Sequence, residues 1–299
     1  MKTLTVFTPT YNRSYCLEKC YKSLVRQNNK DFIWLIIDDG STDNTKEMAH
    51  HWIQEKKIDI KYYWQENQGM HGAHNTAYKI IETELNVCID SDDYMADGAV
   101  ESILSFWRKH GNENVSGIAA LDATIDHQII GSRLPEKLKS STLFDLYNKY
   151  GVTGDKKLVY RTELTKQYPY PVFKNEKYVG LAYKYYMLDK KYELLLMNEV
   201  LCHVEYLPDG SSRNMYNQYL KNPRGFSFYR KELMKLPFGG KLFKYKQAIH
   251  YVSSNLLMKN PKLFIETPKK ALTVLAFPLG ILLYALIISK TRTRLIERN

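Results

Sequence analysis

Asp90, Ser91, Asp92 and Asp93 close a hydrophobic run, and carboxylates placed in line like this reach a common point above a strand end. Such a group suits a hard divalent cation. Mg2+ or Mn2+ takes oxygen ligands and is commonly held by one or two carboxylates together with substrate phosphates. A diphosphate brings its own negative charge, which an acidic cluster tolerates only with a metal between them. Taken alone, an Asp-rich loop is more often a solvated turn. A second acidic pair, Asp38 and Asp39, precedes Gly40. A carboxylate there can accept a hydrogen bond from a base imide or a ribose hydroxyl. Equally, Asp-Gly is a turn signature, with Ser41 or Asp43 available to cap the next helix. Thr8-Pro9-Thr10-Tyr11-Asn12-Arg13 offers a ring to stack on a base and a guanidinium for a phosphate, and Glu66-Asn67-Gln68-Gly69-Met70-His71-Gly72 adds an imidazole.

These clusters act together only if the chain brings them to one place. Short apolar runs at Leu4–Thr8, Phe32–Asp38, Ile60–Gln65, Asn86–Asp90 and Val115–Leu121 alternate with helical stretches at about Ser14–Gln27, Asn44–Lys56, Gly72–Glu82 and Asp97–His110. In the first stretch Leu17, Cys20, Tyr21 and Leu24 recur at helical spacing, and Ser14 is placed as its N-cap. This alternation predicts a doubly wound, mostly parallel α/β sheet with helices on both faces. Ligands of such sheets bind beyond the carboxyl ends of the strands. Each polar cluster follows one of the first four strands, and that coincidence carries more weight than any single residue.

The 299 residues allow about two domains of roughly 150 residues each. A composition of 44% hydrophobic and 25% charged residues excludes a disordered or fibrous chain. Four cysteines are too few for a disulfide framework and form no metal-type pair, which points to a reducing compartment. The net charge of +11 is unevenly placed: residues 1–212 carry 26 Lys+Arg against 29 Asp+Glu, residues 213–299 carry 17 against 3. Within the basic part, Ala271–Ser289 is nineteen residues without a charge. As a helix it spans roughly 28 Å, close to the hydrocarbon thickness of a bilayer. Lys269 and Lys270 flank one end and Lys290, Arg292 and Arg294 the other, while Pro278 and Gly280 allow a kink or a re-entrant turn. A buried core helix is the competing reading. Upstream, cationic and aromatic residues interleave through residues 213–268, which suits an anionic bilayer surface. Single-stranded nucleic acid is the competing use of such a stripe. The apolar nineteen-mer favours membrane, so nucleic acid is not an expected partner. The N-terminus enters a strand at once, with Thr3 and Thr5 breaking any apolar run, so no cleavable signal peptide is expected and the body of the chain should stay in the cytoplasm.

With these residues in hand, the chain resembles the inverting glycosyltransferases of family 2, which have the GT-A fold. TPTYNR at 8–13, IIDDGSTDNT at 36–45, ENQGMHGAHN at 66–75 and IDSDDYM at 89–95 match that family's signatures in order. The resemblance implies a GT-A domain over residues 1–212, with a nucleotide-sugar half at 1–110 and an acceptor half at 111–212. A basic helical region at 213–270, a membrane segment at 271–289 and a basic tail at 290–299 follow. It implies that Thr8, Pro9 and Tyr11 border the nucleobase, with Arg13 nearby, and that Asp39 and Asp38 bond the base. Asn67 and His71 would serve the donor from a loop in which Met70 and His74 depart from the family's usual residues. Asp90 and Asp92 would hold the ribose and a Mn2+ or Mg2+ on the diphosphate, with Asp93 able to share the metal. The base that takes the acceptor's proton is placed at Glu176, with Asp155 as runner-up; a helix N-terminal acid is the plain alternative for Glu176. Asp209 and Ser211 are placed near the diphosphate or acceptor. The implied donor is a nucleotide-diphosphate sugar, expected to be a UDP-sugar; the basic tail and the apolar nineteen-mer add the expectation of a lipid-linked saccharide acceptor, as in surface polysaccharide synthesis. A catalytically silent nucleotide-sugar-binding protein is the alternative.

Overall fold

The computed structural model describes residues 2–207 and 215–296, with side chains described as far as Thr291. The chain divides into two compact units, one formed by Met1–Pro169 with Lys184–Tyr206, the other by Tyr170–Tyr183 with Leu207–Asn299. Asp209 and Ser211 lie outside the described residues.

The first unit is built on a nine-stranded sheet. Its strands are β1 (Leu4–Thr10), β2 (Phe32–Asp38), β3 (Ile60–Trp64), β4 (Leu85–Cys88), β5 (Tyr94–Met95), β6 (Val115–Thr124), β7 (Ser140–Ser141), β8 (Lys156–Arg161) and β9 (Glu193–Val204). The order is β3-β2-β1-β4-β8-β6-β9-β5, with β7 paired to β9. β3, β2, β1 and β4 are mutually parallel. β8 is antiparallel to both β4 and β6, and β9 is parallel to β6. Two reversals restore the original direction, so β1–β4, β6 and β9 all point their carboxyl ends to one edge, where β8 begins. The sheet is therefore mostly parallel as expected, and the antiparallel insertion of β8 is what adds the opening of a strand to that edge.

Helices α1 (Ser14–Val25), α2 (Thr45–Glu55), α3 (Met70–Ile80) and α4 (Ala99–His110) connect the first strands, as the alternation predicts. α3 starts two residues before the expected Gly72, and β4 ends at Cys88, releasing Asp90–Asp93 into a turn. On one face, alternate strand residues such as Leu4, Val6, Trp34, Ile36, Leu85 and Val87 pack on Leu17, Leu24, Trp52, Val100 and Ile103. Tyr21 stacks on Trp52 with centroids 4.4 Å apart, and Trp34 lies 5.6 Å from Trp52. Burying rings of this size contributes roughly 2–3 kcal/mol each. The opposite face of β6, β8 and β9 packs Ala119, Leu121, Tyr160 and Leu194 against α5 (Leu143–Asn148) and α7 (Ala182–Leu188), with the short α6 (Thr162–Thr165) after β8.

The second unit is helical: α8 (Met215–Lys221), α9 (Pro223–Lys235), α10 (Lys241–Leu257), α11 (Leu263–Glu266) and α12 (Lys270–Ile296). Met234, Ala248, Tyr251 and Ala276 join α9, α10 and α12 in one cluster, and Asn255 Nδ2 donates to Ser227 Oγ at 2.9 Å. α12 runs on through Pro278 and Gly280, so the nineteen-residue apolar stretch is one continuous helix and not a re-entrant turn.

Gly117 in β6 leaves no room for a side chain, since a Cβ would stand 1.9 Å from the Val159 carbonyl oxygen of β8. Gly117→Ala is expected to part β6 from β8 and to cost about 2 kcal/mol or more, read as a fall in the urea midpoint.

Candidate active site

Three loops at the carboxyl edge are laced together by short polar side chains. Asn12, after β1, adopts a left-handed φ of 52°, donates its amide to Ser41 Oγ at 2.9 Å and accepts from the Thr42 amide at 2.8 Å. Asp43 accepts from the Ser14 amide at 2.9 Å and from Thr45 at 2.6 Å, so it braces the starts of both α1 and α2. The Ser14 N-cap expected from sequence is thus replaced by a carboxylate from the following loop. Burial would raise the Asp43 carboxyl, but the hydrogen bonds from Thr45 and Ser14 win and hold it below its usual range.

Asp38 and Asp39 are buried, at 1% and 3% exposure, and their oxygens are engaged by protein. Asp38 accepts from the Ser41 amide at 2.7 Å and from the Tyr62 hydroxyl at 2.6 Å. Asp39 accepts from Gln65 Nε2 at 2.6 Å, the Gln68 amide at 2.8 Å and the Gly69 amide at 2.7 Å. Two of these donors immediately precede α3, so Asp39 ties the chain entering that helix to the end of β2. Gly40, at φ 87°, passes so close to Asn67 that a Cβ would lie 3.0 Å from its amide nitrogen. Asn67 is partly exposed beside this crossing.

The residues expected around the base separate into two sets. Tyr11 is half exposed and faces solvent. Thr8 is fully buried and accepts from Trp34 Nε1 at 3.0 Å, and Pro9 is buried beside it, so both support the crevice from below. His71 is 1% exposed in the first turn of α3, so a phosphate does not meet it at the surface. Thr10 went unremarked in the sequence. Its hydroxyl is buried at the end of β1 with no hydrogen-bond partner among the described residues, a group that a ligand could satisfy.

The carboxylates after β4 fall into two environments. Asp90 and Asp92 are partly exposed, and Asp92 Oδ2 lies 3.9 Å from Arg13 Nη1, which brings the loops after β1 and β4 together. Asp93 is 5% exposed and accepts from the Glu205 amide at 3.2 Å. Burial pushes its carboxyl up to about 8, Lys157 opposes this, and Asp90 and Asp92 add to it. Asp93 thus serves the β9 end, and Asp90 and Asp92 are the two carboxylates of this turn that remain partly open to solvent. Among the described residues no three His, Cys, Asp or Glu side chains converge as a complete metal cage. Two partly exposed carboxylates fit a hard cation that completes its shell with diphosphate oxygens and water.

Sequence reading missed the cations behind this loop. Lys157 is 11% exposed, and its ammonium lies 3.6 Å from Asp122, itself 3% exposed at the end of β6. Burial alone would lower its pKa, but Asp122, Cys202, Asp93 and Asp90 together raise it well above the ordinary value. Its neighbour Lys156 donates to the carbonyls of Thr153 at 2.8 Å, Ile130 at 3.1 Å, Asp155 at 3.2 Å and Gly154 at 3.3 Å. That cage fixes Asp155, which is exposed at the opening of β8 on the same edge. The signal for Lys157 lay in the strand KKLVYR, whose alternation puts Lys157 on one face with the buried Val159. Tyr94 and His203 stack at 5.0 Å beside them, and His203 Nδ1 is 3.1 Å from the Thr124 carbonyl oxygen.

Glu176 belongs to the other unit and is 5% exposed. Its oxygens accept from the amides of Arg224 at 3.0 Å and Gly225 at 2.8 Å, and Arg224 Nε adds an ion pair at 3.2 Å. It caps α9.

Two stability predictions follow from these bonds. Glu176→Ala should cost about 1–2 kcal/mol, seen as a lower melting temperature in calorimetry, because α9 loses its cap. Lys157→Met strands buried carboxylates and should cost about 3–5 kcal/mol by urea denaturation, with part of the loss recovered in the Lys157→Met/Asp122→Leu double variant.

Comparison with known proteins bears on this geometry. Over 106 residues the chain is 34% identical to the GalNAc(5)-diNAcBac-PP-undecaprenol beta-1,3-glucosyltransferase of Campylobacter jejuni, a match covering 35% of this chain and 34% of that one. The chain thus spans about a third of the length of that relative. In fold it is similar to S. aureus TarS 1-349 solved with UDP-GlcNAc, with a TM-score of 0.61 and 17% identity over 92% of this chain and 79% of that one. The mannosyltransferase PcManGT of Pyrobaculum calidifontis, solved with GDP-Man and Mn2+, gives a TM-score of 0.54 and 15% identity over 97% of this chain and 75% of that one. The mixed sheet is thus of the GT-A kind. Glycosyl transferase family 2 matches residues 5–168, over half of the chain and all of the loops that form the crevice, and the chain belongs to that family.

Proposed function

We propose that the chain transfers a sugar from a UDP-sugar to a hydroxyl group of a lipid-linked saccharide, with inversion, during surface polysaccharide synthesis at the cytoplasmic face of a membrane. The observation that carries this reading is the partly exposed Asp90–Asp92 pair at the carboxyl edge, with Arg13 beside it and Tyr11 open to solvent. A diphosphate and a base fit that combination. The Campylobacter relative's name, with its undecaprenol-linked acceptor, and the UDP-GlcNAc bound to TarS support the acceptor and donor classes.

In this reading Tyr11 stacks on the base, while Asp38 and Asp39 act by holding the loops against which the donor rests. Thr10 offers its hydroxyl to the donor, and Asn67 lines the crossing at Gly40. Asp90 and Asp92 would hold Mn2+ or Mg2+, which supplies Lewis-acid assistance to the departing nucleotide; the Mn2+ in the PcManGT complex supports that class of ion. Arg13 adds positive charge on the diphosphate side, since it already sits beside Asp92. Inversion needs a base on the acceptor side. Glu176 has both oxygens engaged at α9, so the role passes to Asp155, exposed on the same sheet edge as the carboxylate pair.

The commitment of Glu176 to a helix cap also favours a second reading, nucleotide-sugar binding without turnover. A transfer assay with radiolabelled UDP-sugars and a polyprenyl-diphosphate saccharide, run with and without Mn2+, separates the two. Transfer is expected, and Asp92→Ala should reduce it at least about a hundredfold with the melting temperature unchanged. Binding of the donor with no transfer to any acceptor would establish the silent reading.

A further inference from the structure

We propose that α12 lies in the plane of one leaflet of an anionic membrane and does not cross the bilayer. The inference rests on the membrane attachment proposed above and concerns how it is made.

Helical geometry divides α12 into two halves. The inward half presents Thr273, Ala276, Gly280, Ile287 and Thr291, all buried. These are mostly small residues, and they let the helix settle onto α10: a Cβ at Gly280 would stand 2.4 Å from a Val252 methyl carbon. The Tyr245 hydroxyl of α10 adds a hydrogen bond to the Leu275 carbonyl at 3.3 Å. The outward half carries Val274, Leu275, Leu279, Ile281, Leu282 and Leu286, between 42% and 68% exposed. A helix made to be covered by its own protein places large aliphatic residues inward and small or polar ones outward. Here the order is inverted, with no charge on the outward arc between Ala271 and Ser289.

That contact also argues against crossing. α10 carries Lys241, Lys244, Lys246, His250 and Asn255, and α12 is seated on it from Leu272 to Gly280. Driving α12 perpendicularly through a bilayer would pull the polar side chains of α10 around the Val252–Gly280 contact, His250 and Asn255 among them, into hydrocarbon or strip α10 away. Lying flat, α12 puts its aliphatic arc at the acyl boundary and leaves α10 in the headgroup region. The charge is complementary, because Lys262, Lys269, Lys270 and Lys290 border the arc and residues 213–299 hold 17 Lys+Arg against 3 Asp+Glu. A basic rim repels a second copy of itself, so a leaflet is a better cover than a dimer.

The test uses the full chain bound to vesicles of phosphatidylcholine with phosphatidylglycerol. Lys269→Cys and Lys290→Cys variants are labelled from outside with a membrane-impermeant maleimide, before and after detergent, against the unsubstituted chain. The in-plane helix labels at both ends before detergent. Flotation with protection of the Lys290→Cys thiol would show crossing and overturn the proposal while leaving membrane attachment intact. Absence of flotation would overturn both, and concentration-dependent dimers in solution would identify a second copy as the cover. Leu282→Glu, on the exposed arc, should cut the vesicle-bound fraction at least about tenfold at an unchanged melting temperature, and no loss of binding would also count against the proposal.

Discussion

The arrangement of the carboxyl edge depends on how buried negative charge is balanced. Asp93 and Asp122 are buried after β4 and in β6, Asp90 and Asp92 act on Asp93 from the same turn, and like charges in a low dielectric repel strongly. The ammonium of Lys157 enters this group from β8, and the antiparallel placement of that strand between two parallel ones is what delivers it. Without β8 the sheet would be wholly parallel between β4 and β6; on the other side of the turn Arg13 approaches Asp92. Lys157 serves the buried side of the cluster and leaves Asp90 and Asp92 open to solvent. The crevice is thus acidic on its outer face and neutral within.

Much of this was legible in the sequence because it rested on local signals. Apolar runs located β1 and β2 within a residue or two, since a strand buried on both faces must be apolar throughout, and the aromatic run of the half-exposed edge strand β3 was found as closely. The four polar clusters stood at strand ends for the same reason: a chain leaving a sheet edge meets water. What was not legible involved partners distant in sequence. Asp39 reads as a ligand group until Gln65, Gln68 and Gly69 are seen around it. Glu176 reads as a base until α9 arrives, 48 residues on, to use it as a cap. Lys157 had no motif at all, because its role comes from β4, β6 and β9 meeting at one point. Short carboxylates satisfy backbone amides as readily as they bind substrates, and only tertiary context decides between the two.

The uneven charge of the chain has a related explanation. Part of the acidic charge of residues 1–212 is internal, engaged in caps, loop ties and the crevice, while carboxylates such as Glu18, Asp59 and Glu163 are exposed. The basic excess of residues 213–299 is surface, since most of its lysines lie on exposed helix positions.

The four carbonyls around Lys156 act as a cross-link that requires no cysteine. They hold Ile130 to the Thr153–Asp155 turn, and the close approach of Gly131 to Gly154 removes the remaining slack. A loop immobilised at folding has little conformational entropy left to lose when a second substrate arrives. The opening of β8 is in that sense rigid before any ligand reaches it, so that what fits there is set by shape and not by movement of the loop.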